Sequence, residues 1–155
     1  MKNDLERIAD PATPLNAAYA LCSATVPNGL FTAMRFHPAE MEVERLYSTM
    51  SDIYPVSGRK PKRDTPWGEK VLTRKEVNIG FGPADIAWAF SDYETILGLG
   101  LEAVLNIPVV TDGQILGTIN YLRKAPSFTE GEVVAAQACA HALALRKDLG
   151  RTNSH

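Results

Sequence analysis

Cysteine and histidine are scarce in this chain of 155 residues, with two of the first (Cys22, Cys139) and three of the second (His37, His141, His155). Each cysteine stands alone in a segment that reads as helix. That placement points to small buried hydrophobes rather than a disulfide or a nucleophile pair. Three scattered histidines have no metal-ligand spacing, so no metal site is expected. Neither charge is in large excess: the net charge is −2, which removes any general attraction to nucleic acid or to an anionic membrane surface. No apolar run approaches the ~18 residues a membrane-spanning helix needs. The start, Met1-Lys2-Asn3-Asp4-Leu5-Glu6, lacks the apolar core of a signal peptide. The expectation is therefore a cytoplasmic protein with no membrane partner. A Gly-rich phosphate loop is also missing, since Gly98-x-Gly100 follows a helix instead of joining strand to helix. No nucleophile elbow, Cys–His or Ser–Lys arrangement stands out. No cofactor is expected.

What is present is ample apolar material, 45% of the chain, enough for one domain with a core and too little for two. The most informative stretch is 104–122. Leu105, Ile107 and Val109 share one face of a strand, and Ile115, Ile119 and Tyr121 form the matching set on the next. Both sets are odd-numbered, so one core face requires odd paired with odd. A two-residue Asp112-Gly113 turn would pair odd with even, whereas a three-residue loop, Thr111-Asp112-Gly113 with Gly113 left-handed, keeps the face whole. That register puts Asn106 and Asn120 together on the opposite face, roughly diagonal and about 7–8 Å apart. Asparagine is depleted in strands and costly to bury unpartnered, so the pair suggests a polar pocket floor.

Along the rest of the chain, residues 5–8 form a short helical arm before Pro11 and Pro14, and 15–24 carry one apolar helical stripe. Residues 31–37 and 41–48 read as two strands, on which Arg35, His37, Arg45 and Tyr47 share a polar face; His37 should be exposed. Thr65-Pro66 starts a helix with the stripe Trp67, Val71 and Leu72. A short strand at 76–81 and a short helix at 84–90 follow. Ser91-Asp92-Tyr93-Glu94 fits a capping box, as does Thr129-Glu130-Gly131-Glu132 before a last helix to about residue 149. The division is an arm at 1–14, a domain at 15–149 and a tail at 150–155. Strands joined by hairpins and interleaved with helices indicate an α+β fold on an antiparallel sheet.

This order, with Val104-Leu105-Asn106-Ile107-Pro108-Val109, Asp112-Gly113, Ile115-Leu116-Gly117-Thr118-Ile119 and Phe128-Thr129, resembles the GAF domain family over roughly 15–149. The resemblance implies a sheet of five to six strands, terminal helices on one face and a small-molecule pocket on the other. Family members bind cyclic nucleotides, bilins, haem or metabolites, many dimerise through the terminal helices, and a few are enzymes. The loop cysteines of the methionine sulfoxide reductases are absent here, and their pocket acids would fall near Val104, Asn120 and Leu122, none of which is acidic. The middle segment also lacks a bilin-attaching cysteine.

Gly58-Arg59-Lys60-Pro61-Lys62-Arg63 packs four cations into five positions. It is either a solvated loop or an anion clamp over the pocket, with Arg59, Lys60 and Arg63 as the gripping residues; binding of nucleic acid is not expected. Trp67 and Trp88 are core residues or walls against a flat ligand. Asp85 is a helix-start residue held by backbone amides, or a ligand contact or general base. Two functions follow from this. One is a small-molecule sensor acting in trans and binding an anionic metabolite, with Asn106 and Asn120 as floor, the basic loop meeting the negative group, and a homodimer through the terminal helices. The other is an enzyme using the same pocket, with Asp85 as base and Arg59 as stabiliser.

Overall fold

A computed structural model describes residues 2–146, 148 and 149; the tail at 150–155 lies outside the described residues. Twelve elements follow in order, six of them strands: β1 (Leu30–His37), β2 (Glu42–Ser48), β3 (Arg59–Pro61), β4 (Asn78–Phe81), β5 (Ala103–Thr111) and β6 (Gln114–Arg123). They form one antiparallel sheet in the order β3-β2-β1-β6-β5-β4. Helices α1 (Asp4–Ala9), α2 (Leu15–Thr25) and α5 (Glu130–Ala144) cover one face. A π-helical segment (Gly68–Thr73), α3 (Pro83–Ala89) and α4 (Tyr93–Gly98) cover the other.

The helix-side core joins Phe31, Leu105, Ile107, Ile119 and Tyr121 of the sheet to Tyr19 and Cys22 of α2 and to Cys139 and Leu143 of α5. Both cysteines are fully buried free thiols. The arm is packed into this layer, with Ile8 fully buried. Helix α5 ends at Ala144 rather than near 149 because the chain turns there to bring Arg146 back to the arm. The Arg146 guanidinium donates to the carbonyls of Ile8, Asp10 and Thr13 at 3.0, 3.0 and 2.7 Å. The Thr129 capping box forms in full, Glu132 N donating to Thr129 Oγ1 at 3.2 Å and Thr129 N to Glu132 Oε1 at 2.9 Å.

Two bulges reshape the expected parity. In the β5–β6 hairpin the strands close on a two-residue turn, Thr111 opposite Gln114, with Asp112 and Gly113 both left-handed at φ 50° and 76°. The pairing then shifts between Val109 and Val110, leaving Leu116 as the extra residue. The bulge absorbs the odd residue that the three-residue loop was expected to absorb. Odd faces odd from Ala103 to Val109, and Asn106 stands directly opposite Asn120, not diagonal to it. Beyond the bulge Val110 faces Ile115, which packs on the other face of the sheet, while Leu116 takes the helix side in place of the expected Ile115.

The second shift lies between β1 and β2. Ala33 pairs with Tyr47 but Met34 with Arg45, leaving Leu46 unmatched. The shared polar face expected for Arg35, His37, Arg45 and Tyr47 is broken at that point. Tyr47 stacks in the helix-side core, its ring 5.9 Å from Phe31 and 5.7 Å from Tyr19, while Arg45 points to the other side. His37 is half-buried rather than exposed, held 2.8 Å from Glu44 Oε1.

Candidate functional site

A single rung of four side chains crosses the sheet on the face away from α2 and α5. Thr32, Asn120, Asn106 and Asn78 are successive cross-strand partners on β1, β6, β5 and β4. All four are buried, none more than 5% exposed. Asn78 Nδ2 donates to Asn106 Oδ1 at 3.0 Å, Asn106 Nδ2 to Asn120 Oδ1 at 2.8 Å, and Asn120 Nδ2 to Thr32 Oγ1 at 3.2 Å. Trp67 Nε1 donates to Asn106 Oδ1 at 3.1 Å, and Lys70 Nζ to Asn78 Oδ1 at 3.2 Å. Each amide is thus partnered inside the protein, which is what makes its burial tolerable.

Above this rung lies a narrow cavity of about 30 Å³, lined among others by Arg45, Tyr54, Lys60, Lys62, Trp67 and Asp92. That volume is near what one water molecule needs. Outside it, between β3 and α3, an open groove of about 390 Å³ is lined by Pro66, Trp88 and Ser91 together with Lys60, Lys62, Trp67 and Phe90, which also line the cavity.

Strand period delivers the cations. On β3, Arg59 and Pro61 are exposed while Lys60 turns inward, and Lys62, one step past the strand, is buried in register with Lys60. Lys60 Nζ lies 3.2 Å from Asp92 Oδ1. Arg45 Nη1 donates to the Pro55 carbonyl at 3.0 Å, and its guanidinium sits 5.2 Å from the centre of the Tyr54 ring. Among the described residues, Arg45 Nε, Tyr54 Oη and Asp92 Oδ1 make no hydrogen bond of good geometry, and the Tyr54 hydroxyl and the Asp92 carboxylate face each other as neighbours. Burial lowers the Arg45 pKa and raises that of Tyr54, the latter with help from the Asp92 carboxylate. Burial also pushes the Asp92 carboxyl up, but Lys60 outweighs it and holds Asp92 below the usual carboxylate range. Asp92 is the N-cap residue of α4, yet its side chain makes no cap hydrogen bond. The capping box expected at 91–94 needs Ser91 as N-cap and Glu94 three residues on; it does not form because α4 starts one residue later, at Tyr93, with Asp92 as its N-cap.

The structure distributes the other candidates around this centre. Asn106, Lys60 and Trp67 line the cavity. Asn120 sits in the rung beneath it, its amide taken up by Asn106 and Thr32. Trp88 walls only the outer groove and a neighbouring hollow, 42% exposed, with Lys70 Nζ 5.8 Å from its ring centre. Arg59 Nε pairs with Glu42 Oε1 at 3.0 Å on the outer edge of β3. Arg63 is exposed and reaches the Ala39 carbonyl at 3.5 Å. Asp85 Oδ2 accepts from Phe81 N at 2.8 Å, against β4 at the other edge of the sheet. Arg59 and Asp85 therefore attach to opposite edge strands and do not share a cavity.

A family model described as the GAF domain matches residues 5–145. The chain belongs to the GAF domain family. GAF domains are small-molecule-binding sensor and regulatory modules. None of the curated proteins matches the chain in sequence. Among solved structures, the GAF domain/HD domain protein from Geobacter sulfurreducens is similar with a TM-score of 0.71 and 16% identity, covering 91% of this chain and 94% of that one. The GAF domain of a phosphoenolpyruvate-protein phosphotransferase from Coxiella burnetii gives 0.69 and 18% identity over 91% and 88%. The chromophore-binding domain of a bacteriophytochrome from R. palustris gives 0.64 and 17% over 91% and 56%. At these identities the likeness is one of fold. Among the described residues, no helix of this GAF domain is long and apolar enough to cross a membrane.

Within the GAF framework, the features missed from sequence are Arg45, Lys62, Tyr54, Asp92, Thr32 and Asn78. The alternation Arg59-Lys60-Pro61-Lys62-Arg63 carried a usable signal for Lys62, since an edge strand with two outward members must turn the intervening ones in. Lys62 is 9% exposed, and burial together with Lys60 and Arg45 lowers its pKa from 10.5 to about 8. Between those two values the unfolded chain holds a proton that the folded chain has released, so stability rises with pH across that window and the penalty is complete below about pH 8. Lys62→Met is expected to raise stability at pH 7 by ~2 kcal/mol and to flatten the rise. Urea midpoints measured from pH 7 to pH 10 test both parts.

Proposed function

We propose that this GAF domain is a sensor that binds a small anionic metabolite between the sheet and its cover, acting on another protein in trans. The supporting observation is a charge imbalance in a largely buried place: Arg45, Lys60 and Lys62 converge on the cavity, and among the described residues Asp92 is the one carboxylate lining it. An anion arriving there would meet an unpartnered Arg45 Nε, a directional donor of the kind buried anions need. Asn106 and Trp67 form the floor and side, and Trp88 stands at the groove outside. The cavity holds about one water, so binding requires the cover to move outward, merging cavity and groove through their shared residues Lys60, Lys62, Trp67 and Phe90. Pairing of two copies through the terminal helices is part of this reading, supported by Leu5, Val134 and Leu145, apolar and exposed on or beside α1 and α5. A cytoplasmic setting agrees with two free thiols.

Isothermal titration with acetate, benzoate and inorganic phosphate tests the anion site. At least one should release heat that weakens with salt. Arg45→Gln should reduce that affinity by roughly tenfold or more, as loss of a charge-assisted hydrogen bond does. No heat with any of the three would overturn the reading.

A further inference from the structure

Lys62 lies at the junction of the narrow cavity and the open groove and lines both. Its nitrogen stands 4.9 Å from the centre of the Trp67 ring. Among the described residues its side chain makes no hydrogen bond or salt bridge, since Asp92 is taken by Lys60. A buried primary amine without a counter-ion is costly to keep, and a methionine of similar length would fill the space without that cost. What the amine adds is nucleophilicity. Burial and the two neighbouring cations bring its pKa to about 8, so a share of it is neutral near pH 7.

We propose that Lys62 captures its ligand covalently, forming an imine with the carbonyl of a small 2-oxo acid whose carboxylate lies against Arg45. This rests on the anion-site reading and narrows it to one class of metabolite. The neutral Nζ adds its lone pair to the carbonyl carbon, and a proton passes from nitrogen to oxygen to give the carbinolamine. The nitrogen lone pair then closes the C=N bond while the hydroxyl leaves as water with a proton from Tyr54, and the N–H proton of the protonated imine returns to the Tyr54 oxygen when the neutral imine forms. Amine and carbonyl thus become imine and water, with no oxidant or reductant consumed. Tyr54 is the donor for the departing hydroxyl: it lines the same cavity beside the Asp92 carboxylate and is kept protonated by burial and by Asp92. The Asp92 carboxylate, held ionised beside Lys60, faces the cation that a protonated imine would carry.

Glyoxylate with sodium cyanoborohydride, followed by peptide mass mapping of the whole chain, tests this. Expected is one carboxymethyl group on Lys62, added on the order of tenfold faster at pH 7 than on exposed Lys75 or Lys124, with a rate that climbs through about pH 8. Labelling of Lys62 no faster than of the exposed lysines, or none at Lys62, would overturn the proposal. Calorimetry with acetate separates the two layers. Heat with acetate but no selective adduct removes the covalent step and leaves the anion site standing; neither heat nor adduct removes both. Lys62→Arg keeps the cation without the nucleophile and should resist trapping at position 62. Should that variant fail to fold, the mapping on the native chain still decides.

Discussion

Gly117→Ala is expected to destabilise the protein by at least ~3 kcal/mol, lowering the thermal midpoint by roughly 10 °C at the 2–4 °C per kcal/mol usual for this size. Gly117 follows the bulged Leu116 and pairs with both Val109 and Arg35. A methyl group placed on it would overlap the Met34 carbonyl oxygen and crowd Arg35 Cα at 3.1 Å. These are main-chain atoms of the central strand β1, so no rotamer change relieves the overlap; the β1–β6 ladder has to part. Gly98→Ala provides the contrast. Its methyl would meet nothing within 4 Å at the end of α4, and stability should change by less than about 1 kcal/mol, if anything upward. Equal losses in the two variants, measured by urea denaturation, would refute this account of the bulge.

Asn106→Ala should cost on the order of 4 kcal/mol, from two or more buried polar groups left unpaired at about 1–3 kcal/mol each. Trp67 Nε1 and Asn78 Nδ2 both donate to the oxygen that would be removed, and Asn120 Oδ1 accepts from the nitrogen. Trp67 would also lose its anchor, so its fluorescence should shift as water reaches the indole. Trp67→Phe removes one of these bonds and keeps most of the packing, and its loss should be clearly smaller. An Asn106→Ala midpoint within about 1 kcal/mol of wild type would show that the rung contributes little.

The pairing of β5 with β6 and the Thr129 cap were legible because their signals are local. Alternation along 104–122 brought Asn106 and Asn120 to one face before any coordinates, and Thr129 with Glu132 marked the last helix. Arg45 was not legible, because its face depends on the extra residue Leu46, and a bulge leaves no mark in an alternating sequence. Thr32 and Asn78 join the rung through pairings with β6 and β5 that no short window reveals. Asp92 carried no signal of its own, since it stood only as an intervening residue of the Ser91-to-Glu94 capping pattern. Its carboxylate is claimed by Lys60, some thirty residues earlier, and that partner is visible only in three dimensions. The family pattern carried the fold; the centre depended on contacts between distant segments.

The indole of Trp67 can only donate, and this has a consequence for the whole rung. Its bond requires the Asn106 oxygen to point its way, which turns the Asn106 nitrogen toward Asn120 and so the Asn120 nitrogen toward Thr32. Asn78 must likewise offer nitrogen to Asn106 and oxygen to Lys70. Turning over one carboxamide alone would set oxygen against oxygen or nitrogen against nitrogen, so the three reverse together or not at all. Aligned dipoles of this kind reinforce one another. The floor therefore has a permanent polarity running from the Lys70 ammonium to the Thr32 hydroxyl, and a guest would have to match it.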